Sequence, residues 1–299
     1  RLLALKPDVT LSIAKTAQPA PGETLRYYYH ENVYRPSAES HTFQEISQMG
    51  LEMLGAVGEA QVQQAVRLAA QSLAQLGAAW VLEVSHMGYL FGLFDALGVP
   101  ENARPGLLEK LREKNAHELR RAAQAAGLDA AGAAALTGLL ELSGSCEETL
   151  AKAESACRND RMRAAAAELR ALAKTLEASG GAVRLDLSLA GEMEYYNGLV
   201  FQGYLQGLPR PLLKGGRYDL LMQKFTPGAG AIGFAVYLDE LDRLSAPTPP
   251  VQRNSTGRVM LNVALPKGRL GDRMYDLLAR IGYGCTEDYN ATRKLVVEN

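Results

Sequence analysis

Hydrophobic and polar positions organise this chain around residues 183–244. Val183-Arg184-Leu185-Asp186-Leu187-Ser188-Leu189 alternates apolar and polar residues with period two, which predicts a half-buried strand over 183–189. Residues 195–204 (YYNGLVFQGY) predict a second strand, with Gly198 and Gly203 inside it. A glycine within a strand marks close approach of a ligand or another backbone. Lys214-Gly215-Gly216-Arg217-Tyr218-Asp219 reads as a sharp turn into Leu220-Leu221. Residues 228–244 pass from a Gly-rich strand into an amphipathic helix over 234–244.

Earlier in the chain, residues 2–15 start extended and turn helical after Thr10. Residues 26–35 and 45–55 predict two strands joined by a loop. Val62, Val66 and Leu73 recur at helical spacing within a helix over 59–76. A buried strand over 80–84 leads through His86, read as a turn or capping histidine, to a helix over 87–97 that Gly98 and Pro100 stop. From 101 to 180 the composition shifts to Ala, Leu, Glu, Lys and Arg. Met162, Ala165, Leu169, Leu172 and Leu176 form one apolar helix face, and Gly127 and Gly144 are expected to end earlier helices. This segment reads as a helical insertion between two halves of a sheet. The expected organisation is therefore a first core part over 1–100, the insertion over 101–180, a second core part over 181–245, and a Pro-, Ser- and Thr-rich linker over 246–257. A partial second α/β unit over 258–299 would open with a strand over 261–265 and a helix over 271–282.

The balance of 32 basic and 33 acidic residues in 299 is near neutral, so the totals suggest no basic face for tRNA. Cys146, Cys157 and Cys285 have neither metal nor disulfide spacing and fit a reducing cytosol, hence a cytoplasmic protein. No run approaches the ~18 apolar residues of a membrane span, and no signal peptide is visible. Arg1 in place of Met, and a stop at Asn299 in mid-pattern, are expected of a fragment at both ends.

Candidate chemistry changes the picture at a few positions. Period two puts Gln48, Gly50 and Glu52 on one strand face, with Gln48 and Glu52 ~13 Å apart and a bare-backbone gap at Gly50 between them. A small zwitterion with a polar tail fits such a gap; a solvent-facing polar edge is the plainer reading. Asp8 and Thr10 offer a carboxylate and a hydroxyl to an ammonium group, or Thr10 merely caps a helix. Gly228-Ala229-Gly230-Ala231-Ile232-Gly233 matches GxGxxG literally. No βαβ unit encloses it and no acid follows ~20 residues on, so the dinucleotide reading is rejected in favour of a Gly-rich pocket wall.

The segments EYYNGLVF, GGRYDLL and GAIGFAVYLDEL resemble the late motifs of histidyl-tRNA synthetases and of their non-synthetase relatives, the regulatory subunits of ATP phosphoribosyltransferase. The resemblance covers most of residues 1–245. It implies a class II synthetase-like α+β fold: an antiparallel sheet flanked by helices. It also implies a pocket for L-histidine, with Asp8, Thr10 and Gln48 on the amino group, Arg35 on the carboxylate, and Glu52 with Tyr195 or Tyr196 on the imidazole. Two departures separate the families. The loop 36–41 after Arg35 lacks the acid and basic residues of the synthetases, which speaks against ATP binding. Gly191 stands where the synthetases carry the arginine that serves activation, and glycine cannot donate to a carboxylate.

Residues 258–299 resemble the amino-terminal start of the catalytic subunit of the same transferase, and Lys267, Arg269 and Arg293 would by that resemblance face nucleotide and phosphate. This stretch is too short to build a transferase site. The resemblance thus implies a non-catalytic subunit without a cofactor of its own. It would bind L-histidine and relay feedback inhibition of histidine biosynthesis to a catalytic partner in a hetero-oligomer, the complete partner using Mg2+. Neither tRNA nor a membrane is an expected partner. The alternatives are a truncated histidyl-tRNA synthetase and a structural activator with an empty pocket.

Overall fold

A computed structural model describes residues 5–36, 42–177, 182–191 and 195–245. The expected linker and second unit over 246–299, with Lys267, Arg269 and Arg293, lie outside the described residues, as do most of the loop 36–41 and residues 192–194.

The chain opens with helix α1 (Val9–Thr16), followed by β1 (Thr24–Pro36) and β2 (Phe43–Gly55). Next come α2 (Glu59–Ala74), β3 (Trp80–His86) and α3 (Met87–Ala96). A helical stretch follows: α4 (Arg104–Arg112), α5 (Ala116–Ala125), α6 (Ala130–Thr137), the short β4 (Ser143–Ser145), α7 (Cys146–Ser155) and α8 (Asp160–Glu177). The chain then returns to the sheet with β5 (Ala182–Asp186), β6 (Leu199–Leu205), β7 (Leu213–Arg217), the one-turn α9 (Asp219–Met222), β8 (Gly230–Tyr237) and α10 (Leu238–Ser245).

The strands form one sheet in the order β1-β2-β8-β7-β6-β3-β5-β4. All neighbours are antiparallel except β3 and β5. That parallel pair requires a long crossover, and α3 to α8 supply it. β1 and β2 pair over their full lengths, from Thr24↔Gly55 to Pro36↔Phe43. On one face of the sheet, α2, α3 and α8 lay down Val66, Ala69, Leu73, Leu90, Phe94, Leu169 and Leu172 against Leu82, Val84, Phe201, Leu213 and Ile232. Each Val, Leu, Ile or Phe among them, fully buried, contributes about 1.5–3 kcal/mol. A smaller cluster on the other face joins Ala14 and Ala17 of α1 to Leu54, Tyr218, Met222 and Ala231. That face is left open beside the cluster, and the candidate site lies there.

Several boundaries differ from the sequence reading. Of the turn expected over 214–219, residues 214–217 are instead part of strand β7, held between β6 and β8. A Cβ on Gly215 would come 2.5 Å from the Phe201 ring and one on Gly216 2.7 Å from the Tyr196 ring, so the glycines admit neighbouring rings instead of bending the chain. β5 stops at Asp186, three residues early, because the Asp186 carboxylate accepts hydrogen bonds from the Ser188 N–H at 3.0 Å and its hydroxyl at 2.5 Å. The strand expected from 195 begins only at Leu199. The last helix starts at Leu238, not at 234, because Phe234 is paired in β8 with Leu51 and Gly215. Gly144 ends no helix: it lies in β4 opposite Leu185, whereas Gly127 follows α5 with φ +90°. His86 does cap α3, its Nδ1 accepting from the Gly88 N–H at 3.0 Å.

Candidate functional site

The site is built on a patch of sheet where large side chains have been removed. Across β1, β2, β8, β7 and β6, one row of the register reads Tyr29, Gly50, Ala235, Lys214, Gln202. The next row reads Tyr27, Glu52, Gly233, Gly216, Val200. Gly50, Ala235, Gly233 and Gly216 thus make a floor of backbone and one methyl. Gln48, Glu52, Lys214 and Gln202 stand around it, and the loop before α1 closes one side.

Asp8, Thr10, Arg35, Gln48, Glu52, Tyr195 and Tyr196 all line this pocket. Glu52 is 1% exposed. It accepts hydrogen bonds from the Thr10 hydroxyl and the Tyr218 hydroxyl, each at 2.6 Å. Only a glycine at 233 permits this position, since a Cβ there would stand 1.7 Å from the Glu52 carboxylate. Burial pushes the Glu52 carboxyl up to about 7, against the lowering pull of the Thr10 and Tyr218 hydrogen bonds. Its charge therefore responds to what shares the pocket.

Gln48 is also buried, and its Nε2 has no hydrogen-bond partner among the described residues. A buried N–H without a partner costs about 1–3 kcal/mol. A ligand acceptor would remove that cost.

Asp8, not Thr10, caps α1: its Oδ1 accepts from the Leu11 N–H at 2.7 Å, while its Oδ2 lies 3.8 Å from the Arg35 guanidinium. The Arg35 Nε also donates to the Pro7 carbonyl at 3.3 Å. Arg35 is therefore held on the α1 side of the pocket.

The gap foreseen at Gly50 is not open. Tyr29 lies opposite Gly50, and a Cβ on that glycine would come 2.3 Å from the Tyr29 ring. Because the two residues share a row, the bare glycine lets the phenol fold over the strand. The far wall is aromatic. Tyr195 packs edge-on against Tyr196 at 5.2 Å and against Tyr218 at 5.8 Å between ring centroids. Burial, and next the Coulombic pull of neighbouring tyrosines and carboxylates, pushes these phenols up. They are neutral hydroxyls at physiological pH.

Gly191 lines the pocket too, and the Tyr196 ring occupies the space beside it: a Cβ at 191 would meet Tyr196 Cδ2 at 2.7 Å. Its carbonyl accepts from the Arg112 guanidinium at 2.8 Å. So α4, at the start of the helical stretch, reaches the pocket edge.

Sequence reasoning did not assign Tyr29, Gln202, Lys214, Tyr218 or Tyr237, which line the same pocket. A signal existed for some. Tyr29 alternates with Tyr27 and Glu31 along β1, and Lys214 and Tyr218 flank the glycines and arginine of the GGRYD segment. Locating them on the pocket needed the strand register. Arg217 and Asp219 of the same segment turn away and brace each other at 2.7 Å, Asp219 also accepting from the Ala231 N–H at 2.9 Å.

Among the described residues no group of three or more His, Cys, Asp or Glu is placed to hold a metal ion, and no helix is long and apolar enough to cross a membrane.

Comparison with known proteins adds to this geometry. The histidyl-tRNA synthetase family profile matches residues 1–241. The ATP phosphoribosyltransferase regulatory subunit of Desulfitobacterium hafniense is 33% identical over 243 residues, covering 79% of this chain and 63% of that protein. The chain thus spans a little under two thirds of the length of the curated relatives it matches. The crystal structure of an ATP phosphoribosyltransferase regulatory subunit/histidyl-tRNA synthetase from Bacillus halodurans superposes with a TM-score of 0.69 at 31% identity, covering 80% of this chain and 64% of that one. The ATP phosphoribosyl transferase complex from Thermotoga maritima shares the fold, with a TM-score of 0.63 at 18% identity over 78% of this chain and 81% of that one.

Proposed function

Through residues 1–241 the chain belongs to the histidyl-tRNA synthetase family, and from that premise we propose that it is a regulatory subunit of ATP phosphoribosyltransferase that holds free L-histidine without activating it. The observation that carries this reading is Gly191. A pocket with the groups to hold an amino acid surrounds a position where the Tyr196 ring leaves no room for a side chain. An arginine there would have to displace a ring packed among Tyr195, Gly216 and the strand backbone. Glycine at 191 supplies no charge for activation, while the groups proposed to bind the amino acid line the pocket around it.

In this reading, Asp8 and Gln48 face the amino end of the ligand. Glu52, oriented by Thr10 and Tyr218, accepts an imidazole N–H. Tyr195 and Tyr196 supply aromatic wall and polar tips. Asp8 gives the ammonium a carboxylate and the Gln48 Oε1 can accept from it, while the acceptor that the Gln48 Nε2 lacks would come from the ligand carboxylate, since an ammonium only donates. The partner is the catalytic subunit, which transfers phosphoribosyl from phosphoribosyl diphosphate to ATP with Mg2+. Histidine exerts feedback by favouring one arrangement of the hetero-oligomer, a coupling of about 1–3 kcal/mol.

Two assays on the same preparation test the proposal. Histidine-dependent exchange between ATP and diphosphate is expected to be absent; its presence would make the chain a synthetase. In the enzyme reconstituted with a catalytic subunit, histidine inhibition is expected to disappear with Glu52→Ala. Inhibition that survives the substitution would leave this chain as a structural activator.

A further inference from the structure

Beyond the end of β5 the chain leaves the sheet, yet Leu189 and Gly191 of this stretch line the pocket. The wall they form is held by groups from elsewhere in the fold. The Leu187 N–H donates to the Leu142 carbonyl at 2.9 Å, and the Gly191 N–H points to the Met87 sulfur of α3 at 3.5 Å. Two more contacts come from one place, the turn between α4 and α5. There the Arg112 guanidinium donates to the Gly191 carbonyl at 2.8 Å, and the Lys114 ammonium to the Asp186 carboxylate at 2.6 Å. One short turn thus grips both ends of the stretch 186–191.

The conformation of that turn singles it out. Glu113 and Lys114 alone separate α4 from Asn115, which caps α5 by accepting from the Glu118 N–H at 3.2 Å. Lys114 has φ +52°, and it is the one non-glycine residue with positive φ among the described residues. Glycine would adopt this conformation freely, whereas a side chain there is strained and persists only where its surroundings over-determine it. The Lys114 side chain has such surroundings, because its ammonium neutralises a buried carboxylate. Lys114 takes the Asp186 Oδ2, while the Oδ1 accepts from the Ser188 N–H and hydroxyl and turns the chain out of the strand towards Gly191.

We propose that Arg112 and Lys114 are positioning residues that clamp the 186–191 wall, so that the turn between α4 and α5 sets the affinity of the pocket and senses its occupancy; this rests on the histidine-binding reading above. Neither residue lines the pocket, so neither touches the ligand. Their effect passes through Gly191. No side chain separates its backbone from the Tyr196 ring, and even a Cβ there would meet Tyr196 Cδ2 at 2.7 Å. A displacement of Gly191 is therefore felt directly by a ring that forms pocket wall. The coupling runs both ways by linkage. A ligand that presses Tyr196 against Gly191 steadies the turn, and a turn held in place tightens the ligand.

Calorimetric titration of the full chain with L-histidine, run beside amide hydrogen exchange, tests the clamp. Lys114→Met and Arg112→Met keep a long side chain without its charge. Each should weaken L-histidine by about twofold to thirtyfold, the range for residues that act on a site without touching its ligand. Lys114→Arg should restore the affinity lost in Lys114→Met. Arg104→Ala removes the ion pair to Asp95 at the other end of α4 and should leave the affinity unchanged. Saturating L-histidine should slow exchange of the Glu113 and Lys114 amides in the unsubstituted chain, and less so in Arg112→Met. If Lys114→Met misfolds, Arg112→Met carries the test. Unaltered L-histidine affinity in folded Arg112→Met and Lys114→Met, or an equal loss in Arg104→Ala, overturns the clamp and leaves the histidine site standing. Failure of the unsubstituted chain to bind L-histidine overturns the underlying reading and the clamp with it.

Discussion

Glu52 is a carboxylate set among hydroxyls in a place with little water, and its position fixes both a cost and a use. Its carboxyl sits near 7 when folded, against an ordinary value of 4.5, because burial penalises the charge more than Thr10 and Tyr218 relieve it. The native state thus holds a proton that the unfolded chain has released, and stability falls as pH rises from about 4.5 through about 7. The full loss is on the order of 3 kcal/mol. Denaturant unfolding at pH 5 and pH 8 should show this decline, and Glu52→Gln, which carries no charge, should flatten it. A ligand that donates to Glu52 compensates the ionised form, so saturating histidine should also flatten it. A decline unaffected by either change would mean that Glu52 is not the responsible group.

Gly191 makes the second prediction at this scale. Gly191→Arg, the change that would restore a synthetase-like residue, should destabilise the chain by about 1–3 kcal/mol through overpacking against Tyr196. It should not create ATP–diphosphate exchange. Gain of exchange in a stable variant would show that the ring yields.

At the level of elements, period two in β2 was enough to put Gln48 and Glu52 on one face, because side-chain alternation is a property of the strand alone. The neighbours of that face were not legible. Tyr29 covering Gly50, and Tyr218 reaching Glu52 from 166 positions away in sequence, depend on pairings between β1, β2, β8 and β7. Glycine misled for the same reason. Lys214-Gly215-Gly216-Arg217 looked like a turn, since a local reading assigns glycine to bending, whereas here its use is to admit Phe201 and Tyr196 from adjacent strands. The shortening of β5 reflects competition between ladder and side chain: Asp186 draws Ser188 back, and Lys114 secures Asp186 at 2.6 Å.

The link from α4 to the pocket edge yields an element-scale prediction. Arg112→Ala removes the donor to the Gly191 carbonyl, a loss of about 1 kcal/mol. Hydrogen exchange should quicken at Leu189 and Gly191 while the β2 amides keep their protection. Equal protection in both proteins would mean that the contact does not hold this segment.

For the molecule as a whole, the fold separates the face that is buried by helices from the face that carries the candidate site. The helices α2, α3 and α8 bury one face of the sheet and set its rigidity. The opposite face is free to carry different corner residues on a floor of glycine and alanine. Order of motifs along the chain was legible before the structure because each motif is local: the hairpin of β1 and β2, the tyrosine pair, the Gly-rich β8. Which side chains come to surround that floor was not legible, because β2 and β7 are brought together only through β8. On the proposed reading, a glycine at 191 leaves Glu52 and its hydroxyl neighbours to hold a ligand without a cation to activate it.

Whether this pocket holds L-histidine through Glu52 is decided by calorimetric titration of the chain with L-histidine, run beside Glu52→Ala. Saturable binding to one site is expected, and its loss in a folded Glu52→Ala variant. Absence of binding by the well-folded unsubstituted chain, or equal binding by Glu52→Ala, would contradict it.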